Sequence, residues 1–170
     1  MKELKIIRLR LPLSKSKKNN LHKMDKVLLT GTIYTARDQA HKRIVEFIET
    51  GKELPFRLKD AAIFYAGPTP AKPNSVCGAI GPTTSSRMDR YTPILLDNGV
   101  KVLIGKGERS KEVRSSILKH NALYLVAVGG AAALLSKCII SCEVVCWEDL
   151  GTEAIHRLEV KDFPCYVSVI

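Results

Sequence analysis

The sequence predicts an α/β domain, a mixed sheet with flanking helices, and three observations carry that prediction. Short apolar runs of strand length and composition alternate with segments whose apolar residues recur at helical spacing. Several strand-like runs end in a small or polar turn that opens straight into a helical pattern, as crossover connections packed on a sheet do. And 170 residues, 45% of them hydrophobic, suffice for one core but not for a second large domain.

Taken in order, Lys5–Leu11 alternates as a strand does, and the polar stretch Ser14–Asn20 reads as an exposed loop. Further strands are predicted at Val27–Tyr34, Ala61–Tyr65, Val102–Ile104, Ala122–Val128, Cys142–Trp147 and Cys165–Ile170. Helical patterns lie between them at Ala36–Thr50, Ser85–Leu96, Glu108–His120 and Ala131–Ile139. In the first helix Thr35 stands where an N-cap belongs and Asp38 supplies an aspartate version of the capping box. Ala40, Ile44, Phe47 and Ile48 form its apolar stripe, and Gly51 ends it.

Charge divides the chain into an amino-terminal basic arm, residues 1–26, and a body, residues 27–170. The formal net charge is +10. The arm carries nine Lys/Arg against two Asp/Glu, whereas the body carries 18 against 15. A basic arm on a nearly neutral body is a weak argument for nucleic acid, which selects a basic face, so a solvated or partner-contacting arm is expected instead. No run of about 18 uncharged apolar residues offers a membrane span. Arg8 and Arg10 interrupt the apolar stretch a signal peptide would need, so the reading is cytoplasmic.

Five cysteines without an export signal argue against structural disulfides. Three form C-x3-C-x3-C at Cys138, Cys142 and Cys146, a spacing that suggests a metal or iron–sulfur site. On a strand, however, thiols four residues apart sit about 13 Å apart, too far to share one cluster without a bend. Buried, inert thiols are the expectation, with no metal ligand assigned to this chain.

Four turns follow strands and open helices: Tyr34–Asp38, Gly81–Arg87, Ile104–Gly107 and Val128–Ala131. In open α/β sheets the crevice beyond the strands' carboxyl ends binds ligands, and helix amino-termini there favour anions. Three of the four turns hold an Arg or Lys, which points to a small anionic ligand. Arg37, in the first helical turn, is predicted to face within about 60° of Ala40, toward the buried side. Something negative must meet it: Asp38, another carboxylate of the chain, or the carboxylate of a substrate. His41 shares its edge one turn on, either as a structural or solvated histidine or as an acid/base. The hydroxyls of Thr83, Thr84, Ser85 and Ser86 just ahead of Arg87 exceed what one helix cap requires and read as a nest for an oxyanion, or as a plain cap. Lys106 lies between Gly105 and Gly107, but neither a third glycine nor a Walker sequence makes this a nucleotide loop.

The strings GTIYTARDQAH, FYAGPTP, GAIGPTTSSRMDRY, LIGKG, LYLVAVGGAAALL and EDLGTEAIHRLEVKDFP together resemble the carboxy-terminal, or β-subunit, part of class I fumarate hydratases and of the similar L-tartrate dehydratases. The likeness runs from about Val27 to Ile170 and leaves the basic arm outside. It implies a swivelling β/α/β domain and a hydro-lyase converting (S)-malate to fumarate and water reversibly, with L(+)-tartrate dehydration as the alternative. It further implies that Arg37, Arg87 and Lys106, with Thr84, bind a C4 dicarboxylate, and that Thr83 or His41 takes the proton. A [4Fe–4S] cluster would be ligated by a partner α subunit, making a hetero-oligomer whose β chain is inactive alone. A different class of reading, a stand-alone binding module for dicarboxylates or nucleic acid, stays open beside it.

Overall fold

In the computed structural model, which describes residues 5–128 and 132–170, seven strands form one mixed sheet. They are β1 (Ile6–Arg10), β2 (Lys26–Thr35), β3 (Ala62–Phe64), β4 (Val102–Gly105), β5 (Leu123–Ala127), β6 (Ile139–Cys146) and β7 (Ile155–Val169). Their order is β1-β2-β3-β4-β5-β7-β6, and β2 pairs with β7 as well. Strands β2, β3, β4, β5 and β7 therefore close into a ring. β1 through β5 run parallel to their neighbours, while β7 is antiparallel to β2, β5 and β6.

Side-chain alternation divides the apolar residues into two cores. Inside the ring lie Val27, Leu29, Phe64, Ile104, Leu125, Phe163 and Val167, with the Phe64 and Phe163 rings edge to face at 5.3 Å. Ile63, Leu103 and Tyr124 point the other way, into a second core beneath the helices. Burial on both faces explains why β3 and β4 read as unbroken apolar runs.

Five α-helices are described: α1 (Lys15–Lys18), α2 (Asp38–Glu49), α3 (Thr92–Asp97), α4 (Lys111–Lys119) and α5 (Ala132–Ser136). α2 buries Ala40, His41, Ile44 and Val45 and stops where Gly51 takes φ +67°, so that Lys52 N–H reaches Phe47 O at 2.8 Å. α4 starts at Ser110, whose Oγ accepts the Val113 N–H at 3.2 Å.

Several expectations need correction. Ser14–Asn20 is not all loop, because one helical turn forms there and buries Lys18, whose ammonium donates to Asn121 Oδ1 at 2.8 Å. The helix predicted over Ser85–Leu96 is split into a 3₁₀ turn, Ser85–Met88, and α3. α2 begins after Arg37, not Thr35; Thr35 ends β2 with its hydroxyl wholly buried, accepting the His156 N–H at 3.0 Å. Phe47 and Ile48 are only half-buried, displaced from the stripe by His41 and Val45. β7 extends back to Ile155, far beyond the predicted Cys165–Ile170. Its polar residues alternate outward over the first half, which hides the strand in a sequence of charged residues. The turn at Val128–Ala131 lies, from residue 129 on, outside the described residues.

Candidate active site

Three turns leave the carboxyl ends of adjacent parallel strands and meet on one rim of the ring. From β2 comes Arg37–Asp38, from β3 the segment through Thr83 to Arg87, and from β4 Lys106. Thr83 is moored by its backbone N–H to Tyr65 O at 2.7 Å, one residue past β3. The next two turns are stitched to each other: Ser85 N–H donates to Lys106 O and Lys106 N–H to Ser85 Oγ, both at 2.9 Å, and Thr84 bridges Lys106. Gly105 makes this approach possible, since a Cβ there would overlap Ser85 Oγ and lie 2.7 Å from the Tyr65 ring.

Arg87 is gripped from two sides. Its Nε and Nη2 donate to Asp38 Oδ1 and Oδ2 at 3.1 and 2.9 Å, and Nη2 also donates to Thr83 Oγ1 at 2.8 Å. Burial alone would raise the Asp38 carboxyl, but hydrogen bonds from Arg87 and the charges of Arg87 and Arg37 outweigh it and hold it below its ordinary value. Asp38, a cap in the sequence reading, is thus the residue that orients Arg87. Lys106 and Thr84 are exposed on the same rim.

Arg37 is met not by Asp38 but by Glu153, with Nε 3.7 Å from Oε1, and a third of its side chain reaches solvent. Its Nε is buried without a hydrogen-bond partner among the described residues. Glu153 ends a 3₁₀ segment, Glu148–Glu153, that the Asp149 carboxylate clamps to α2 through both oxygens on Arg43, at 2.9 and 2.8 Å.

His41 sits behind this rim, fully buried. Its Nδ1 is 2.8 Å from Arg37 O, and its ring lies against Tyr65 and Tyr91 at 5.3 and 5.9 Å. Burial pushes its pKa down to about 4, the nearby Arg109 charge adds to that, and the Arg37 carbonyl works against it, so the imidazole is neutral at pH 7. Nε2 has no partner among the described residues.

Sequence reasoning missed the cation underneath. Arg109 has no exposed side-chain surface, yet donates to Asp89 Oδ1 at 2.7 Å, Thr92 Oγ1 at 2.6 Å and the Tyr65 hydroxyl at 3.1 Å. The Tyr65 and Tyr124 rings flank it at 5.2 and 4.9 Å. The Tyr124 hydroxyl in turn donates to Gly107 O at 2.7 Å and is hydrogen-bonded to the Ser85 hydroxyl at 2.9 Å, so one buried network supports both stitched turns. The signal available was two tyrosines in otherwise apolar strands, whose hydroxyls require polar partners.

The cysteines do not assemble a metal site. Among the described residues no group of three or more His, Cys, Asp or Glu side chains is arranged to hold a metal ion, so an iron–sulfur cluster does not fit the described residues. Cys142 and Cys146 lie along β6 as expected. Cys138, Cys142 and Cys146 are only half-buried, which corrects the expectation that these three are buried thiols, and Cys165 is fully buried. No helix among the described residues is long and apolar enough to cross a membrane.

A family model described as "Fumarase C-terminus" matches residues 1–170, and so takes in the basic segment that the resemblance left out. The chain is 43% identical over 143 residues to "Fumarate hydratase class I, anaerobic" of Escherichia coli (strain K12), covering 83% of this chain and 26% of that protein. It is 40% identical over 147 residues to "Fumarate hydratase 2" of Leishmania major, covering 85% and 26%. It is 40% identical over 144 residues to "Putative L(+)-tartrate dehydratase subunit beta" of Methanocaldococcus jannaschii, covering 82% and 74%. The chain thus spans about a quarter of the fumarate hydratases it matches.

Proposed function

Because the chain belongs to the fumarase C-terminus family, we propose that it is the β subunit of a hydro-lyase that interconverts (S)-malate with fumarate and water. The observation that carries this is the rim itself: Arg37, Arg87 and Lys106, with the hydroxyls of Thr83 and Thr84, on turns tied to one another at the ends of three neighbouring strands. In this reading residues 27–170 form the catalytic unit, which swivels as one body because its site turns hang from a single closed ring. The protein works in the cytoplasm as a hetero-oligomer with an α subunit, which would hold the [4Fe–4S] cluster.

The two carboxylates of a C4 diacid are bound by Arg37, Arg87 and Lys106. Arg87 uses Nε and Nη2 on Asp38 and Thr83, which leaves Nη1 for an incoming carboxylate. Proton removal next to a carboxylate spreads charge into that group, and fixed cations stabilise it as it grows. Thr83 takes the proton. A hydroxyl is a weak base, but the guanidinium N–H at 2.8 Å favours its alkoxide. His41, neutral and enclosed, acts through the Arg37 carbonyl as a positioning residue in preference to the base. Departure of the substrate hydroxyl is chemistry this chain's residues do not provide.

Reconstitution tests the reading. The chain alone should be inactive, and anaerobic mixing with its cluster-bearing partner should produce malate dehydration, read by the ultraviolet absorbance of fumarate. Arg87→Ala should abolish it. Full activity of the isolated chain without iron would sink the proposal. The tartrate alternative is favoured by one observation, that a relative of comparable length carries that name; a higher kcat/KM on L(+)-tartrate than on malate would select it.

A further inference from the structure

We propose that Cys77 and Cys142 are a redox modification site, closing reversibly to a disulfide that ties the segment between β3 and the 3₁₀ turn to the edge strand β6. Both thiols are half-buried and line one open groove of about 390 Å³, together with Pro68, Thr69, Thr152 and His156. They are 65 residues apart in sequence, yet both line this one groove. The neighbouring thiol and burial together raise Cys77 above its ordinary value, while the influence of Cys77 lowers Cys142 against the effect of burial. Cys142 is therefore the attacking sulfur and Cys77 the resolving one.

The surroundings permit the bond to close. Cys142 is on a strand paired on one edge only, to β7. Cys77 is carried by an exposed loop closed on itself by Thr69 N–H to Ala79 O at 3.0 Å, with Gly78 packed on Thr69. A loop of that kind can shift as a unit to shorten the sulfur–sulfur distance. The other thiols are poorer candidates. Cys165 is enclosed in the ring, burial pushes Cys146 up to about 11, and Cys138 points its sulfur at the carbonyls of Leu134 and Asp162, each 3.8 Å away.

With hydrogen peroxide as oxidant the chemistry balances. The Cys142 thiolate attacks one peroxide oxygen, an S–O bond forms, the O–O bond breaks and hydroxide leaves to be protonated. Cys77 then attacks the sulfenic sulfur; the S–S bond forms, the S–O bond breaks, and the Cys77 proton leaves with the departing water. Two thiols are oxidised and one peroxide is reduced to two waters.

The test uses the full chain, reduced, desalted and exposed to peroxide. The intact mass should fall by that of two hydrogens, a non-reducing peptide map should contain the Cys77–Cys142 pair, and dithiothreitol should reverse both. Iodoacetamide should label Cys142 about tenfold faster than Cys146. In Cys77→Ser, peroxide should leave a sulfenic acid on Cys142 that dimedone traps; in Cys142→Ser, Cys77 should give none. Loss of thiols without the linked peptide, a Cys138–Cys165 link in its place, or equal dimedone labelling of Cys77 and Cys142 would overturn the proposal.

Discussion

Replacing Asp89 by alanine strips the carboxylate from a guanidinium that has no contact with water. Arg109 has no exposed side-chain surface, while Asp89 retains 16% of its own. Breaking a buried pair so that its charge stays behind costs about 3–5 kcal/mol. Asp89 also accepts the Ser110 N–H at 2.8 Å, at the start of α4, and losing that bond adds about 1 kcal/mol. The converse change, Arg109→Met, leaves a carboxylate that still touches solvent and still holds Ser110, so its cost should be about 1–3 kcal/mol. Introducing Arg109→Met into Asp89→Ala removes the stranded cation, and the double variant should regain about 2 kcal/mol over Asp89→Ala alone. Urea unfolding of the four chains, followed by circular dichroism with a common slope, measures all three numbers. If Asp89→Ala costs no more than Arg109→Met, or the two changes are simply additive, the account of a buried cation supporting the rim is wrong.

Other consequences can be checked alongside. His41 has a folded pKa of about 4 against an ordinary 6.5, so on acidification the unfolded chain takes up this proton first. Its contribution to stability is complete above pH 6.5 and falls by about 3 kcal/mol as pH drops toward 4; His41→Phe should flatten urea midpoints across that window. Gly105→Ala forces a methyl group onto Ser85 Oγ and the Tyr65 ring and should cost about 1–3 kcal/mol in the same unfolding assay. Asp38→Asn breaks a partly exposed pair and should cost at most about 1 kcal/mol of stability. In the reconstituted enzyme it should nonetheless lower kcat/KM about tenfold or more, because Arg87 loses the partner that aims it.

Much of the architecture is legible in sequence because burial on both faces makes β3 to β5 continuous apolar runs punctuated by turns. The first half of β7 is not, since one of its faces is polar and His156, Arg157, Glu159, Lys161 and Asp162 dominate its composition. At the site, the cations and hydroxyls stand out as residue types, so Arg37, Thr83, Thr84, Arg87 and Lys106 were all singled out. What they pair with is not legible, because Glu153 reaches Arg37 across 116 residues and Asp38 prefers Arg87 to its own neighbour. Arg109 is the clearest case. A charge in a short Gly-Glu-Arg-Ser turn reads as solvated, and only the fold reveals two tyrosines and an aspartate enclosing it.

The ring is sealed by β7, which follows all its partners in the chain and joins β2 to β5. Its pairing of Tyr166 with Lys26 spans 140 residues, among the longest contacts a chain of this length can make. The entropy of drawing such distant segments together must be spent before their hydrogen bonds repay it, which makes seam closure a late and slow event in folding. Until that strand docks, the parallel strands that carry the Arg37, Arg87 and Lys106 turns have two open edges and an uncovered interior. The fifteen-residue strand β7 is therefore a kinetic gatekeeper: the cationic rim acquires its final shape only when sequence far from it arrives.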